Sequence, residues 1–265
     1  MALYHILILA LVQGVTEFLP ISSSGHLVLA SQVMDWPDQG LMIDVAVHVG
    51  TLFAVMLYFW RDLVRVMTGC WRLIQFRGGA DAQLAGNLII ATIPVVIVGF
   101  LAKSYIETYL RSAEIIAWTT LIFGLLLWIT DRVGLTIRRI DHLGAFNALF
   151  IGFAQVLALV PGTSRSGITM TAARLLGMER SEAARFSMLM SIPTILGAGL
   201  LSGLDLYKSG DIALGADALI AMGLSFVTAL VAIWGLMAWL KHAGFTPFVL
   251  YRILLAAVLF YWIYG

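Results

Sequence analysis

Gln13-Gly14-Val15-Thr16-Glu17-Phe18-Leu19-Pro20-Ile21-Ser22-Ser23-Ser24-Gly25-His26 closes the apolar run 3–19 with a carboxylate, a serine triplet, a glycine and an imidazole. A second segment, Pro161-Gly162-Thr163-Ser164-Arg165-Ser166-Gly167-Ile168-Thr169, closes the apolar run 143–160 and supplies a guanidinium. A charged side chain at bilayer depth costs roughly 2.5–3.5 kcal/mol or more, so such residues are functional candidates by default. Proline lacks a backbone donor and clashes with the preceding turn, so Pro20 and Pro161 interrupt the incoming helices. Short helix-like pieces follow each break, near 24–34 and 165–177. The pattern predicts two re-entrant hairpins, 3–34 and 143–178, whose non-helical tips are tolerated because they are buried or line a cavity.

The rest of the chain says what surrounds the hairpins. It is 61% hydrophobic and only 12% charged, where a soluble domain carries about 25% charged residues. Six further stretches are long and apolar enough to cross a bilayer: 41–60, 84–102, 115–130, 182–204, 214–240 and 247–264. If both hairpins are re-entrant, one side of the membrane holds Arg61, Arg65, Arg72, Arg77, Arg132, Arg138, Arg139, Arg174, Arg180, Arg185 and Lys241. The other holds only Lys103, Arg111 and Lys208. Cytoplasmic loops are enriched in Lys and Arg, so this bias puts both termini outside. A fully crossing 143–178 segment would collapse the bias.

The expected fold is therefore an all-α polytopic membrane protein with an inverted-topology repeat: six transmembrane helices plus two re-entrant helical hairpins in a single domain over 1–265. Repeat 1 runs over about 1–130 and repeat 2 over about 143–265. Sites in such folds form near the midplane, where broken helices meet. Aligning Pro20 with Pro161 pairs Ser22 with Thr163 and Ser23 with Ser164. The net charge of +1 gives no basis for nucleic-acid binding, and the single cysteine, Cys70, excludes an internal disulfide framework and a multi-cysteine metal site. The apolar N-terminal stretch lacks a basic leader and a clear cleavage site, so it is expected in the mature protein.

Read residue by residue, the tips suit an anion. Ser22, Ser23, Thr163 and Ser164 are good helix N-caps. A helix N-terminus offers free N–H groups and a positive dipole end, which favours phosphate. Gly25, Gly162 and Gly167 permit close backbone approach. Two converging N-termini predict an oxyanion cradle, with Ser22, Ser24, Gly162 and Thr163 among its candidate phosphate-binding residues. Arg165 is either a bidentate phosphate ligand or the ion-pair partner of Glu17. Glu17 is a candidate general base, metal ligand or partner of Arg165. His26 is a candidate acid or base, and Ser23 or Ser24 a candidate nucleophile beside it; the serines equally suit capping or phosphate binding. Gln13 and Gln155 sit two turns before the prolines, placed to bond ligand, metal or unwound backbone. His48, Gln155 and Arg252 are candidate cavity-lining residues.

The two polar segments, in this order and spacing, resemble the two signatures of the bacterial undecaprenyl-pyrophosphate phosphatase family, also called the bacitracin-resistance family. The likeness covers essentially the whole chain and extends to Leu206-Tyr207-Lys208, Pro247-Phe248 and Tyr251-Arg252. It implies hydrolysis of undecaprenyl pyrophosphate to the monophosphate and inorganic phosphate, recycling the lipid carrier of cell-wall synthesis. It places the protein in the inner membrane, with the site towards the outer face. It assigns catalysis to Glu17, Ser23, His26 and Arg165, and phosphate contacts to Ser164, Ser166 and Thr169. It also implies a divalent cation, magnesium or calcium, at Glu17 and Gln13. Many members carry glutamates four residues apart; Gln13 stands in place of the first, which keeps a carbonyl ligand and loses a charge. The substrate lipid and a homodimer are the expected partners. A transporter or flippase of polyprenyl phosphates is the alternative, since such carriers share the inverted-repeat build.

Overall fold

The structure, a computed structural model, describes residues 3–33, 40–209 and 215–265. The last residue of the predicted 3–34 hairpin and the first of the 214–240 span lie outside the described residues, as do the side chains of Leu206 and Lys208. Within them the chain is helical throughout, with one isolated bridge between Arg138 and Met178.

The first hairpin is α1 (Leu3–Thr16) and α2 (Ser23–Val33). The second is α7 (Ala145–Val156), extended by a 3-10 turn over Leu157–Leu159, and α8 (Arg165–Leu175). With a rise of 1.5 Å per residue, the 14 residues of α1 and the 12 of α7 reach only about 21 and 18 Å, short of the roughly 30 Å hydrocarbon core. In each pair the limbs pack side by side, as re-entrant segments do.

Between the hairpins lie α3 (Gly40–Tyr58), α4 (Trp60–Ile74), α5 (Ala80–Tyr109) and α6 (Ala113–Val133). After the second come α9 (Arg180–Ser209), α10 (Ala216–Trp239) and α11 (Thr246–Tyr264). Five helices, α5, α6, α9, α10 and α11, are long and apolar enough to cross a membrane, and α3 with α4 makes a sixth that bends by 88°. The predicted span 41–60 thus stops at Tyr58, and α4 is an unpredicted amphipathic helix leaving nearly at right angles. The protein is an all-α polytopic membrane protein.

The two halves exchange partners. α1 of the first half packs on α10 of the second, while α7 of the second packs on α5 of the first. Small residues let these pairs close. A side chain at Gly14 would strike Thr228 and the Ser225 carbonyl of α10, and one at Gly152 would strike the backbone of Ala91 in α5. Backbones in lipid associate through such close small-residue contacts, since apolar burial gives no driving force there. The main core runs from Phe18 through Met170, Ala172 and Ala173 of α8 to Phe186, Met188 and Leu189 of α9, so the second hairpin sits at the centre of the packing. Large exposed apolar residues such as Phe100, Phe146, Val231 and Leu254 occupy the outer faces, where hydrocarbon is the solvent.

The arginine-rich side is pinned by ion pairs. Arg185 donates to both oxygens of Asp62, and Arg180 donates to Asp131 at 2.7 Å. Arg174, fully buried, donates to the carbonyls of Leu135, Gly134 and Met178 and fixes the C-terminal end of α8.

Candidate active site

Both hairpin tips end in the same device. Ser22 and Ser164 immediately precede α2 and α8, and each has a positive φ, 75° and 71°. Non-glycine residues are uncommon there, and such conformations gather at functional sites. Each serine hydroxyl caps its helix, Ser22 accepting from the Gly25 N–H at 3.3 Å and Ser164 from the Gly167 N–H at 3.1 Å. Each pairs with the hydroxyl two residues on, Ser24 at 3.4 Å and Ser166 at 3.2 Å. The matching elements are therefore Ser22-Ser23-Ser24-Gly25 and Ser164-Arg165-Ser166-Gly167. The proline-based alignment is one residue out of register, because the capping serine, not the proline, starts the helix. In the corrected register Ser23 and Arg165 are counterparts, each the first residue of its helix.

The tips touch. A side chain at Gly25 would lie 3.4 Å from the Gly162 Cα. Arg252 of α11 holds them together, donating to the carbonyls of Pro20 from the first hairpin and of Gly162 and Thr163 from the second, at 3.0–3.3 Å. It also bonds the Thr119 and Thr120 carbonyls of α6. Ser166 donates to the Leu19 carbonyl at 2.8 Å, a second link between hairpins.

Where the helix starts meet, a cavity of about 410 Å³ opens, lined by Glu17, Ser22, Ser23, Ser24, Ser164 and Arg165 from the tips. Asp44, Val45 and His48 of α3 and Thr194, Ala198, Gly199 and Ser202 of α9 complete its wall. Glu17 is the hub. Its Oε2 accepts from Ser23 Oγ at 2.7 Å and from Gln13 Nε2 at 3.0 Å, and its Oε1 accepts from Arg165 Nη2 at 3.1 Å. Arg165 also donates to the Ser187 carbonyl at 3.1 Å. One carboxylate is thus shared by a hydroxyl, an amide and a guanidinium, all at the end of two helix dipoles.

Several predicted residues lie elsewhere. His26 does not face Ser23. Its Nδ1 donates to the Ser22 carbonyl at 2.6 Å, since a carbonyl only accepts, so Nε2 is left to accept from the Tyr251 hydroxyl at 2.6 Å. Gly162, Thr163, Ser166 and Thr169 are not part of the cavity lining. Thr163 is fully buried with an unpartnered Oγ1, and Thr169 bonds Ser187 at 2.7 Å. They brace the second tip. Gln155 and Arg252 are fully buried and also lie outside the lining, so of the three candidate lining residues only His48 reaches the cavity. Its Nδ1 bonds the Asp44 carbonyl at 2.7 Å.

Sequence reading missed Ser187. The signal was present: Ser187, Ser191, Thr194 and Ser202 share one face of α9, a polar stripe of helical period in an apolar helix.

Among the described residues no cluster of three or more His, Cys, Asp or Glu is arranged for a metal ion. The donor set does suit a cation that arrives with phosphate oxygens. Magnesium is commonly held by one or two carboxylates plus substrate phosphates. Glu17 provides the carboxylate; Gln13, fully buried behind it and outside the cavity lining, carries an Oε1 with no partner.

Comparison with known proteins places the sequence among relatives of one family. The model of the family described as bacitracin resistance protein BacA matches residues 6–258. The chain is 50% identical, over the full length of both, to a protein of Alteromonas mediterranea named undecaprenyl-diphosphatase. It is 51% identical to one of the same name from Alcanivorax borkumensis, covering 98% of each chain. A protein of Rhodospirillum rubrum named undecaprenyl-diphosphatase 1 is 49% identical over 98% of this chain and 94% of its own. With a family model spanning nearly its whole length and half its residues shared with such relatives, this chain belongs to the bacitracin resistance protein BacA family.

Proposed function

We propose that this protein removes the terminal phosphate of undecaprenyl pyrophosphate, releasing inorganic phosphate and the lipid monophosphate. The hydrogen-bonded set Ser23–Glu17–Arg165, at the junction of two helix N-termini, carries this reading. Phosphoryl transfer asks little of a protein beyond positioning and charge stabilisation. Two helix N-termini and a guanidinium supply the charge, and a carboxylate with a hydroxyl at 2.7 Å supplies a nucleophile and its base.

The Glu17–Arg165 pair sets the order of events. Bound to Arg165, Glu17 has one carboxylate oxygen committed to the guanidinium. A pyrophosphate entering the cavity competes for the guanidinium, and as Arg165 turns to the phosphate oxygens the carboxylate is left to Ser23. Ser23 Oγ then attacks the terminal phosphorus, its proton passes to Glu17, and the P–O bond to the lipid monophosphate breaks. Glu17 gives that proton to the departing lipid monophosphate, then takes one from a water that attacks the phosphoserine phosphorus; inorganic phosphate leaves and the proton returns to Ser23 Oγ. His26 is reassigned here: it braces Ser22 from behind and hands no proton to Ser23. A magnesium or calcium ion fits as a companion of the substrate, held by Glu17 and the Gln13 carbonyl oxygen, where it would neutralise pyrophosphate charge.

An outward-facing site in the cytoplasmic membrane belongs to the same reading. Asp44, Val45 and His48 begin α3, and Ala198, Gly199 and Ser202 lie late in α9. Both are far from the arginine-rich ends at Arg61 and Arg180, which the charge bias assigns to the cytoplasm. The homodimer is part of this reading too, checked by the mass of the detergent-solubilised particle.

The test is phosphate release by purified protein in detergent, where no second compartment exists. Glu17→Gln should lower turnover roughly 10²–10⁴-fold, the range of a lost general base, while lipid binding persists. Lipid binding without phosphate release by the native protein would favour the transporter.

A further inference from the structure

α4 is not needed for the chemistry above, yet its surface is organised. It leaves α3 at 88° immediately after a 19-residue helix that alone reaches about 28 Å, so it runs close to the membrane plane. Three stripes divide it. Trp60, Val64, Met67, Trp71 and Ile74, spaced at helical period, are each more than half exposed. Asp62 and Gly69 are buried and turn inward, Asp62 to Arg185 and Gly69 to the Asp81 backbone of α5. Arg61, Arg65 and Arg72 form the third, about a third of a turn from the centre of the apolar stripe at 100° per residue.

These arginines are not equivalent. Arg65 is tied to Asp81 at 3.1 Å and Asp141 at 3.2 Å. Arg61 and Arg72 pair with no acid among the described residues, and the Arg61 guanidinium lies over the Trp60 ring at 5.3 Å. An apolar stripe with interfacial tryptophans, flanked by unpaired cations, is how a helix lies on a charged bilayer surface. Because α4 continues directly from a membrane span, its stripe faces the same bilayer.

We infer that α4 is an in-plane membrane helix whose Arg61 and Arg72 bind anionic phospholipid headgroups of the leaflet on the arginine-rich side. The occupant is anionic lipid because the exposed charge is cationic, unneutralised and held at headgroup level by its own apolar stripe.

The test uses the full-length protein with Cys70→Ser and a nitroxide at Val64→Cys, in vesicles of equal parts phosphatidylglycerol and phosphatidylcholine. The account predicts a label shielded from a polar relaxant and accessible to oxygen. It also predicts phosphatidylglycerol enrichment among the lipids that co-purify with the protein. Arg61→Gln with Arg72→Gln should cut that enrichment by roughly fivefold per arginine without changing phosphate release in detergent. A water-accessible label, spin–spin broadening from a second copy seated on the stripe, or enrichment unchanged in the double variant would each overturn the inference.

Discussion

Arg252→Met tests whether the hairpin tips are held by one side chain. Arg252 donates to five carbonyls and is fully buried. Methionine has similar length and no donor. Thr119 and Thr120 lie inside α6, so their carbonyls keep helical partners. Gly162 keeps a bond from the Thr120 hydroxyl at 3.4 Å. Pro20 and Thr163 lose their arginine donor outright. A buried polar group left unsatisfied costs about 1–3 kcal/mol, so two cost about 2–6 kcal/mol. Removing a guanidinium that had to be desolvated offsets part of this, leaving roughly 2–4 kcal/mol. The second consequence is geometric, since tips free to separate move Ser23 away from Arg165. A displacement near 1 Å costs about 10²-fold in rate. The assays are thermal unfolding in detergent and phosphate release from undecaprenyl pyrophosphate. Arg252→Lys, with a point charge in place of the fork, should fall between. A methionine variant with native unfolding temperature and native turnover would refute the bracing role.

Other outcomes follow from neighbouring geometry. Gly14→Val should destabilise the fold by roughly 1–3 kcal/mol or more, seen as early unfolding in detergent, because the new side chain meets Thr228 and the Ser225 carbonyl. His26→Gln should slow turnover only about tenfold, far less than loss of Glu17, and Tyr251→Phe less still, because the imidazole orients Ser22 and is not in the proton path.

The hairpins were legible because polar residues at bilayer depth demand an explanation, and Pro20 and Pro161 mark where each helix stops. The charge bias supplied their expected sense, since only re-entrant segments collect the arginines on one side. α4 was not legible. Phe59 and Trp60 continue the apolar run of α3 without a break in hydropathy, and a window average is blind to an 88° turn. The tip register slipped by one because proline looked like the marker, whereas the positive-φ serine sets the start of each following helix. Closeness in sequence misplaced His26: Ser23 and His26 are three residues apart on α2, and their partners lie apart, Glu17 in the turn after α1 and Tyr251 on α11. Arg252 looked like a cavity residue because it is charged and intramembrane; only the fold reveals five carbonyls awaiting donors.

Phosphate release by purified Arg165→Ala and Ser23→Ala proteins, alongside a search for phosphoserine in the native enzyme, tests the central claim most directly. The account predicts a folded Arg165→Ala protein slowed by roughly 10²–10³-fold or more, as for a lost transition-state donor. It predicts a Ser23→Ala protein at least as impaired, and label on Ser23 when native enzyme is quenched with radioactive substrate. Turnover within about tenfold of native in a folded Arg165→Ala protein would contradict the charge-stabilising role on which the reading rests.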